Sequence, residues 1–306
     1  MSTAHSFAHP REIEARVIFP LFGVEAPLNY LIPSGEKPVT YTYTPPSGTP
    51  QSTRRNDPHK VTIRNARPLA EDLSLDIQGF ALVHHRSAVT NFYDATEVRE
   101  VYYPEVEELL KRRTGAARVV IFDHVVRNAD KAERKEDDAR EYGRIVHNDY
   151  SLKSAPRRVL DHVADDADEL LKHRFAEINV WRAIRGPILS TPLAVCDARS
   201  IDERDVVACD LVYPHRIGET YAFTYNPNHQ WFYFPHMLSD EVVLLKCYDS
   251  IDDGRARFTA HSAFDDPSSP ADAPARESIE VRALVFFAPE TRTPATESNA
   301  DLERTS

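Results

Sequence analysis

The sequence predicts a mainly β protein with flanking helices, arranged as a sandwich or jelly roll. Three observations lead there. Short apolar or alternating runs recur through most of the 306 residues, separated by Pro, Asn, Asp and Gly, which is how strands joined by turns read. Hydrophobic residues make up 42% of the chain, enough for a sizeable core. Only nine glycines occur, with neither a GxGxxG nor a GxxxxGK stretch, which excludes the nucleotide cradles of doubly wound parallel folds.

Strands are expected at 15–22, 60–64, 79–84, 118–126 and 144–149, and again at 177–184, 193–197, 205–213, 220–225, 230–234, 242–248, 256–261 and 278–287. Residues 33–58, with Pro45-Pro46 and Ser47-Gly48, read as a loop-dominated arm. Two helices interrupt the pattern. The first, 104–113, opens on Pro104 and closes on Lys111, Arg112 and Arg113 before Gly115. The second, 154–172, carries Leu160, Val163, Ala167, Leu170 and Leu171 at three-to-four spacing, a stripe expected to pack on the outside of the sheet. Residues 128–140 are densely charged and read as a solvated connection or frayed helix, with a lid as the alternative. The tail after 289 has almost nothing apolar and is expected to be flexible.

Lys and Arg number 37 against 48 Asp and Glu, a net charge of −11, which disfavours a nucleic-acid backbone or an anionic membrane as partner. Cys196, Cys209 and Cys247 are odd in number and widely spaced. They make neither a disulfide framework nor a CxxC zinc site, and a reduced, cytoplasmic setting is expected. No apolar run approaches the roughly 20 residues of a spanning helix, and the first residues have no apolar signal core.

Of the thirteen histidines, one has an acidic residue two positions on: His147-Asn148-Asp149. The spacing alone is within chance. Its context adds weight, because Arg144, Ile145 and Val146 precede it and strand alternation then puts His147 and Asp149 on one face. A histidine from a distant strand would complete a two-His, one-carboxylate set, the donor set suited to non-heme Fe(II). His261 is the best candidate, although His124, His215 and His229 also lie near expected strands. Fifteen residues later, Arg276-Glu277-Ser278 heads a strand and alternation aligns Arg276 with Ser278. A guanidinium fork with a hydroxyl suits the distal carboxylate of a diacid; surface pairing with Glu277 or Glu280 is the competing reading. Arg-x-Ser/Thr recurs at Arg112, Arg257 and Arg304, so the tripeptide is weak alone. Asn179 and Trp181 share a strand face and are candidates for substrate contact, with plain packing an equal alternative.

The order His-x-Asp, long gap, His, short gap, Arg-x-Ser is more specific. It is accompanied by Ile178-Asn179-Val180-Trp181-Arg182, Gly186-Pro187, the run Pro192-Leu193-Ala194-Val195-Cys196-Asp197-Ala198, the aromatic stretch from Tyr225 to Pro235, and Tyr248-Asp249-Ser250. Together these resemble the Fe(II)- and 2-oxoglutarate-dependent oxygenases of secondary metabolism, a family that includes cephamycin 7-hydroxylase-like, asaB-type and gibberellin desaturase-like enzymes. The likeness covers about residues 19–289. It implies a double-stranded β-helix (jelly-roll, cupin-like) core at 67–290, after a Pro-rich arm with accessory strands at 1–66 and before a flexible tail at 291–306. It also implies Fe(II) on His147, Asp149 and His261, 2-oxoglutarate on Arg276 and Ser278, and O2 as oxidant. Hydroxylation, desaturation or oxidative cyclisation of a small natural-product intermediate would release succinate and CO2. The alternatives are a cupin-type metal enzyme without 2-oxoglutarate and a non-catalytic binding protein. Arg182 and Arg282 are expected near the pocket, and the Pro-rich arm is a place for homodimer contacts.

Overall fold

Strand runs rich in Val, Ile, Phe and Tyr must bury one face or both, and here they condense into two facing sheets. The computed structural model describes residues 22–289 apart from 135, 137 and 138. In chain order, β1 (Gly23–Leu31), β2 (Val39–Tyr41), β3 (Asn56–Asn65) and β4 (Phe80–His84) lead into α1 (Ala95–Glu97), a π-helical turn (Val98–Tyr102) and α2 (Tyr103–Thr114). Next come β5 (Arg118–Arg127), α3 (Ala129–Arg134), β6 (His147–Asn148), α4 (Ser154–His162) and α5 (Ala167–Leu170). The chain then continues through β7 (Phe175–Ala183), β8 (Leu193–Cys196), β9 (Val206–Val212), β10 (Ile217–Phe223), β11 (Trp231–Tyr233), β12 (Glu241–Asp249), β13 (His261–Ala263) and β14 (Ser278–Phe286).

One sheet has nine strands in the order β1-β3-β11-β8-β13-β6-β10-β9-β2, the other five in the order β4-β12-β7-β14-β5. Pairing is antiparallel except for β3 with β11 and β2 with β9. The five-stranded sheet separates its two faces by parity, as a two-residue side-chain period requires. Ala176, Ile178 and Val180 of β7 join Val106, Leu109 and Leu110 of α2 on the outer face. Trp181 and Ala183 instead meet Leu193, Val195 and Phe232 of the opposing sheet. Odd-numbered β7 residues therefore look into the space between the sheets.

Most of the expected strands form. The one expected at 15–22 lies outside the described residues except for Phe22. β1 and β2 were not foreseen, because Pro27 and Asn29 break the strand pattern of β1; as an edge strand β1 tolerates the proline. The expected strand at 144–149 is reduced to the two residues of β6 and that at 256–261 to β13, which starts at His261. The helix expected at 104–113 forms as α2 and ends at Gly115, whose φ of 72° supplies the left-handed cap.

The helix expected at 154–172 is broken. Val163 leaves the helical region at φ −139°, a three-residue turn follows at Ala164–Asp166, and α5 resumes. Its buried stripe is Ala155, Val159, Val163 and Ala167, packed on Phe175, Tyr248, Leu284 and Phe286, while Leu160 is 41% exposed. Phe175 shares its parity with Trp181, so α4 closes one end of the gap between the sheets and does not cover the outer face as expected. The three cysteines are free and buried.

On that inward face Glu177 is fully buried, and neither carboxyl oxygen has a hydrogen-bond partner among the described residues. Burial pushes it well above the ordinary carboxylate range. The folded chain thus binds a proton that the unfolded chain releases above about pH 4.3, so the stability tied to this group falls as pH rises beyond that point. Glu177→Gln should melt close to the wild type near pH 4 and above it by about 2–4 °C at pH 8. Calorimetry at both pH values tests this; a gap that does not widen with pH contradicts the assignment.

Candidate metal centre

β6 and β13 are antiparallel neighbours in the nine-stranded sheet, and His261 stands directly opposite His147. Their rings lie 4.3 Å apart between centroids. Asp149 follows one residue after β6, with Oδ1 3.6 Å from His147 Nε2. One donor atom from each of the three residues falls within 4.8 Å of the others. The packing is close: a Cβ at Gly143 would come within 3.1 Å of His147 Cε1.

Tautomers and charges suit a cation. His147 Nδ1 lies 2.6 Å from the Ile145 carbonyl oxygen, which can only accept, so the proton sits on Nδ1 and Nε2 presents its lone pair toward Asp149. His261 Nδ1 is buried with no partner. Burial pulls both imidazoles down to about 4, leaving them neutral at pH 7. Burial would raise the Asp149 carboxyl, but Arg282, the two imidazoles and Asn179 outweigh it and hold the group well below the ordinary carboxylate range.

The fixing of Asp149 comes from the opposite sheet. Asn179 of β7 and Arg282 of β14 are direct cross-strand partners. Asn179 Nδ2 donates to Asp149 Oδ2 at 2.8 Å, and Arg282 donates to the same oxygen through Nε at 3.2 Å and a terminal nitrogen at 3.1 Å. With Oδ2 occupied, Oδ1 remains on the histidine side. Arg282 also holds Asp123 and Glu280, each at 3.0 Å.

Arg276, Ser278, Glu280 and Arg282 alternate onto one face at the head of β14. Arg276 is 3% exposed and Ser278 1%. The guanidinium lies 4.2 Å over the Tyr142 ring and 5.3 Å from that of Trp181, and one terminal nitrogen donates to the Thr191 carbonyl. Its Nε and the Ser278 hydroxyl are buried without partners among the described residues. Burial pulls the guanidinium down to about 9, against the weaker opposing pull of Tyr142 and Glu280, and among the described residues no carboxylate forms an ion pair with it. Glu277 instead accepts from Tyr93 and Glu280 from Arg282, so the surface-pairing alternative for Arg276 does not occur.

The residues singled out in the sequence thus come together as two groups, His147/Asp149/His261 and Arg276/Ser278. Asn179 and Trp181 both turn inward, Asn179 onto Asp149 and Trp181 onto Arg276. Arg182 does not approach the centre: it has the opposite parity and donates to the His85 carbonyl, next to Tyr102. His229 is tied to Asp205 and Tyr30, and His124 to Tyr103. Tyr142 was missed. Its hydroxyl donates to the Arg276 carbonyl at 2.7 Å, a contact across 134 residues that leaves no local pattern.

Two neutral imidazoles, one anionic carboxylate fixed through a single oxygen, and a buried cation lacking its anion fit a ferrous ion and a dicarboxylate. The class so defined is the jelly-roll, non-heme iron oxygenase. A family model described as "YDMC: Oxidoreductase/YMDC permease-like domain" matches residues 28–286; no helix among the described residues is long and apolar enough to cross a membrane. The hydroxylase/desaturase efuI of Hormonema carpetanum is 37% identical over 80% of this chain and 90% of its own length. The Fe(II)/2-oxoglutarate-dependent dioxygenase nvfI of Aspergillus novofumigatus is 34% identical over 80% and 90%. A solved structure, the iron and alpha-ketoglutarate-dependent endoperoxidase NvfI, superposes with a TM-score of 0.80 at 31% identity, covering 88% of this chain and 99% of that one. The chain belongs to this family of Fe(II)/2-oxoglutarate-dependent dioxygenases; its cofactor and cosubstrates are Fe(II), 2-oxoglutarate and O2. Neither the cosubstrate-free cupin nor the idle binding protein is favoured.

Arg282 is the shared partner of three carboxylates. Arg282→Met should destabilise the fold by about 3 kcal/mol, the scale for leaving buried charge uncompensated, read as a lower urea midpoint at pH 7; an unchanged midpoint contradicts this role.

Proposed function

We propose that His147, Asp149 and His261 hold the Fe(II), that Arg276 and Ser278 receive the far carboxylate of 2-oxoglutarate, and that the enzyme oxidises a C–H bond of a small natural-product intermediate. The single observation that carries the reading is the unpaired, buried Arg276 guanidinium beside the orphaned Ser278 hydroxyl, on the same strand face as the arginine that clamps Asp149. A buried cation is costly unless an anion meets it. The relatives support the reaction range: efuI is named a hydroxylase/desaturase and NvfI an endoperoxidase, and hydroxylation, desaturation and oxidative cyclisation all begin by hydrogen removal. The net charge of −11 favours a small molecule over a nucleic acid as partner.

When bound, Fe(II) would activate O2, the oxidant: 2-oxoglutarate would be oxidised to succinate and CO2, and the substrate would gain an oxygen atom or lose two hydrogens to water. The chain's own residues orient and shield. The Ile145 carbonyl sets the ring and tautomer of His147. Asn179 and Arg282 occupy one oxygen of Asp149, so the carboxylate offers the other alone and leaves positions open for the cosubstrates. Tyr142 and Trp181 sandwich the Arg276 guanidinium, which keeps water from competing for it.

Asn179→Ala should weaken Fe(II) affinity about 10–100-fold, measured by anaerobic equilibrium dialysis, whereas His147→Ala should abolish both binding and succinate formation. Retained stoichiometric Fe(II) in His147→Ala would sink the ligand assignment. Arg276→Gln should raise the KM for 2-oxoglutarate about 10–100-fold while Fe(II) affinity holds. An unmoved KM would remove Arg276 from the cosubstrate site.

A further inference from the structure

A cavity of about 1060 Å³ opens beside the metal centre, with Asp149 and Arg282 among its lining. Its walls come from α4, β5 and the β9–β10 hairpin, none of which was singled out for substrate contact in the sequence. The volume is at the upper end of small-molecule sites, and lining by a candidate iron ligand makes it a route from solvent to the reacting centre.

The charges lining it are unequal in availability. Its acidic side chains are spent within the wall: Asp123 on Arg282 at 3.0 Å, Asp161 on Arg157 at 2.9 Å and on Arg158, Glu219 on Lys37 at 2.6 Å and Asp210 on the same lysine. Lys153 and Arg216 remain outside these pairs, Lys153 within the electrostatic reach of Glu219. Among the described residues neither forms an ion pair, and Arg216 rests only on the Tyr213 ring at 3.8 Å. On a chain of net charge −11, the uncommitted charge of this cavity is positive. Its apolar lining includes Ile217, 68% exposed, and the partly buried Phe122, whose ring is stacked on His162 at 4.7 Å.

We propose that this cavity is the substrate site and that the substrate is an organic anion carrying a flat apolar ring system. The ring lies along Phe122 and Ile217, the anionic group meets Lys153 and Arg216, and the remainder extends toward Asp149. Resting on the metal assignment above, this placement adds the chemical class of the molecule oxidised. Two cations on separate elements act as a charge filter, because a neutral analogue forfeits the ion pairs while keeping the apolar contact.

Two naphthalene probes test it by fluorescence titration: the sulfonate 1-anilinonaphthalene-8-sulfonate and its neutral counterpart N-phenyl-1-naphthylamine. The wild type should bind the sulfonate about ten-fold more tightly. Lys153→Glu with Arg216→Glu should erase that preference by weakening the sulfonate alone, the paired Gln variant should do so partly, and Ile217→Ser should weaken both probes alike. All three positions are exposed, so circular dichroism melting should match the wild type. Equal wild-type affinity for the two probes, or sulfonate affinity unchanged in the Glu variant, overturns the proposal. Fe(II) and 2-oxoglutarate binding, measured in parallel, should be unaffected by the Glu pair. Failure of the wild type to bind either would strike the metal assignment and leave the probe result standing.

Discussion

The geometry of this molecule turns on one carboxylate held between two sheets. His147 and His261 are cross-strand partners in one sheet, Asn179 and Arg282 are cross-strand partners in the other, and Asp149 is the side chain that spans the gap. Each pair is set by strand register, and a slip of one residue would turn its side chains to the opposite face. The metal centre is therefore only as well defined as the packing that keeps the sheets apart. Trp181, Phe232 and Val195 in the shared core, with α4 closing one end, do that work.

Around this carboxylate the interior holds several polar groups. Among the described residues, His261 Nδ1, Asn179 Oδ1, Arg276 Nε, Ser278 Oγ and both oxygens of Glu177 are buried without partners. Each would destabilise an ordinary core. Most cluster on the inward faces of β7 and β14, next to the proposed donors for iron and diacid, where local structure rules give way to function. At Glu177, burial favours the neutral acid.

Much of the site was legible because its parts are local patterns read at strand period. His147-x-Asp149 and Arg276-x-Ser278 each place two groups on one face, and the structure keeps both placements although β6 is only two residues long. His261 could be ranked above His124, His215 and His229 but not proven, since the pairing of β13 with β6 joins residues 114 apart in the chain. The errors share a cause as well. Leu160 was placed in the packed stripe of its helix and Arg182 near the pocket, yet α4 presents Val159 instead and β7 turns even-numbered residues outward. A strand's sequence shows that two faces exist; where both are apolar, it does not show which faces the active centre.

Composition and spacing pointed to a β-rich chain without nucleotide cradles and to candidate metal and diacid residues, and the motif runs carried the likeness to the iron oxygenases. Strand pairing between distant segments decided the rest: that Asn179 serves Asp149, that Tyr142 covers Arg276, and that α4 and the β9–β10 hairpin enclose a cavity with two uncommitted cations. These are relations between faces of separate elements. A linear chain records each face but not the partner it will meet, because partner choice is made by the collective burial of both sheets.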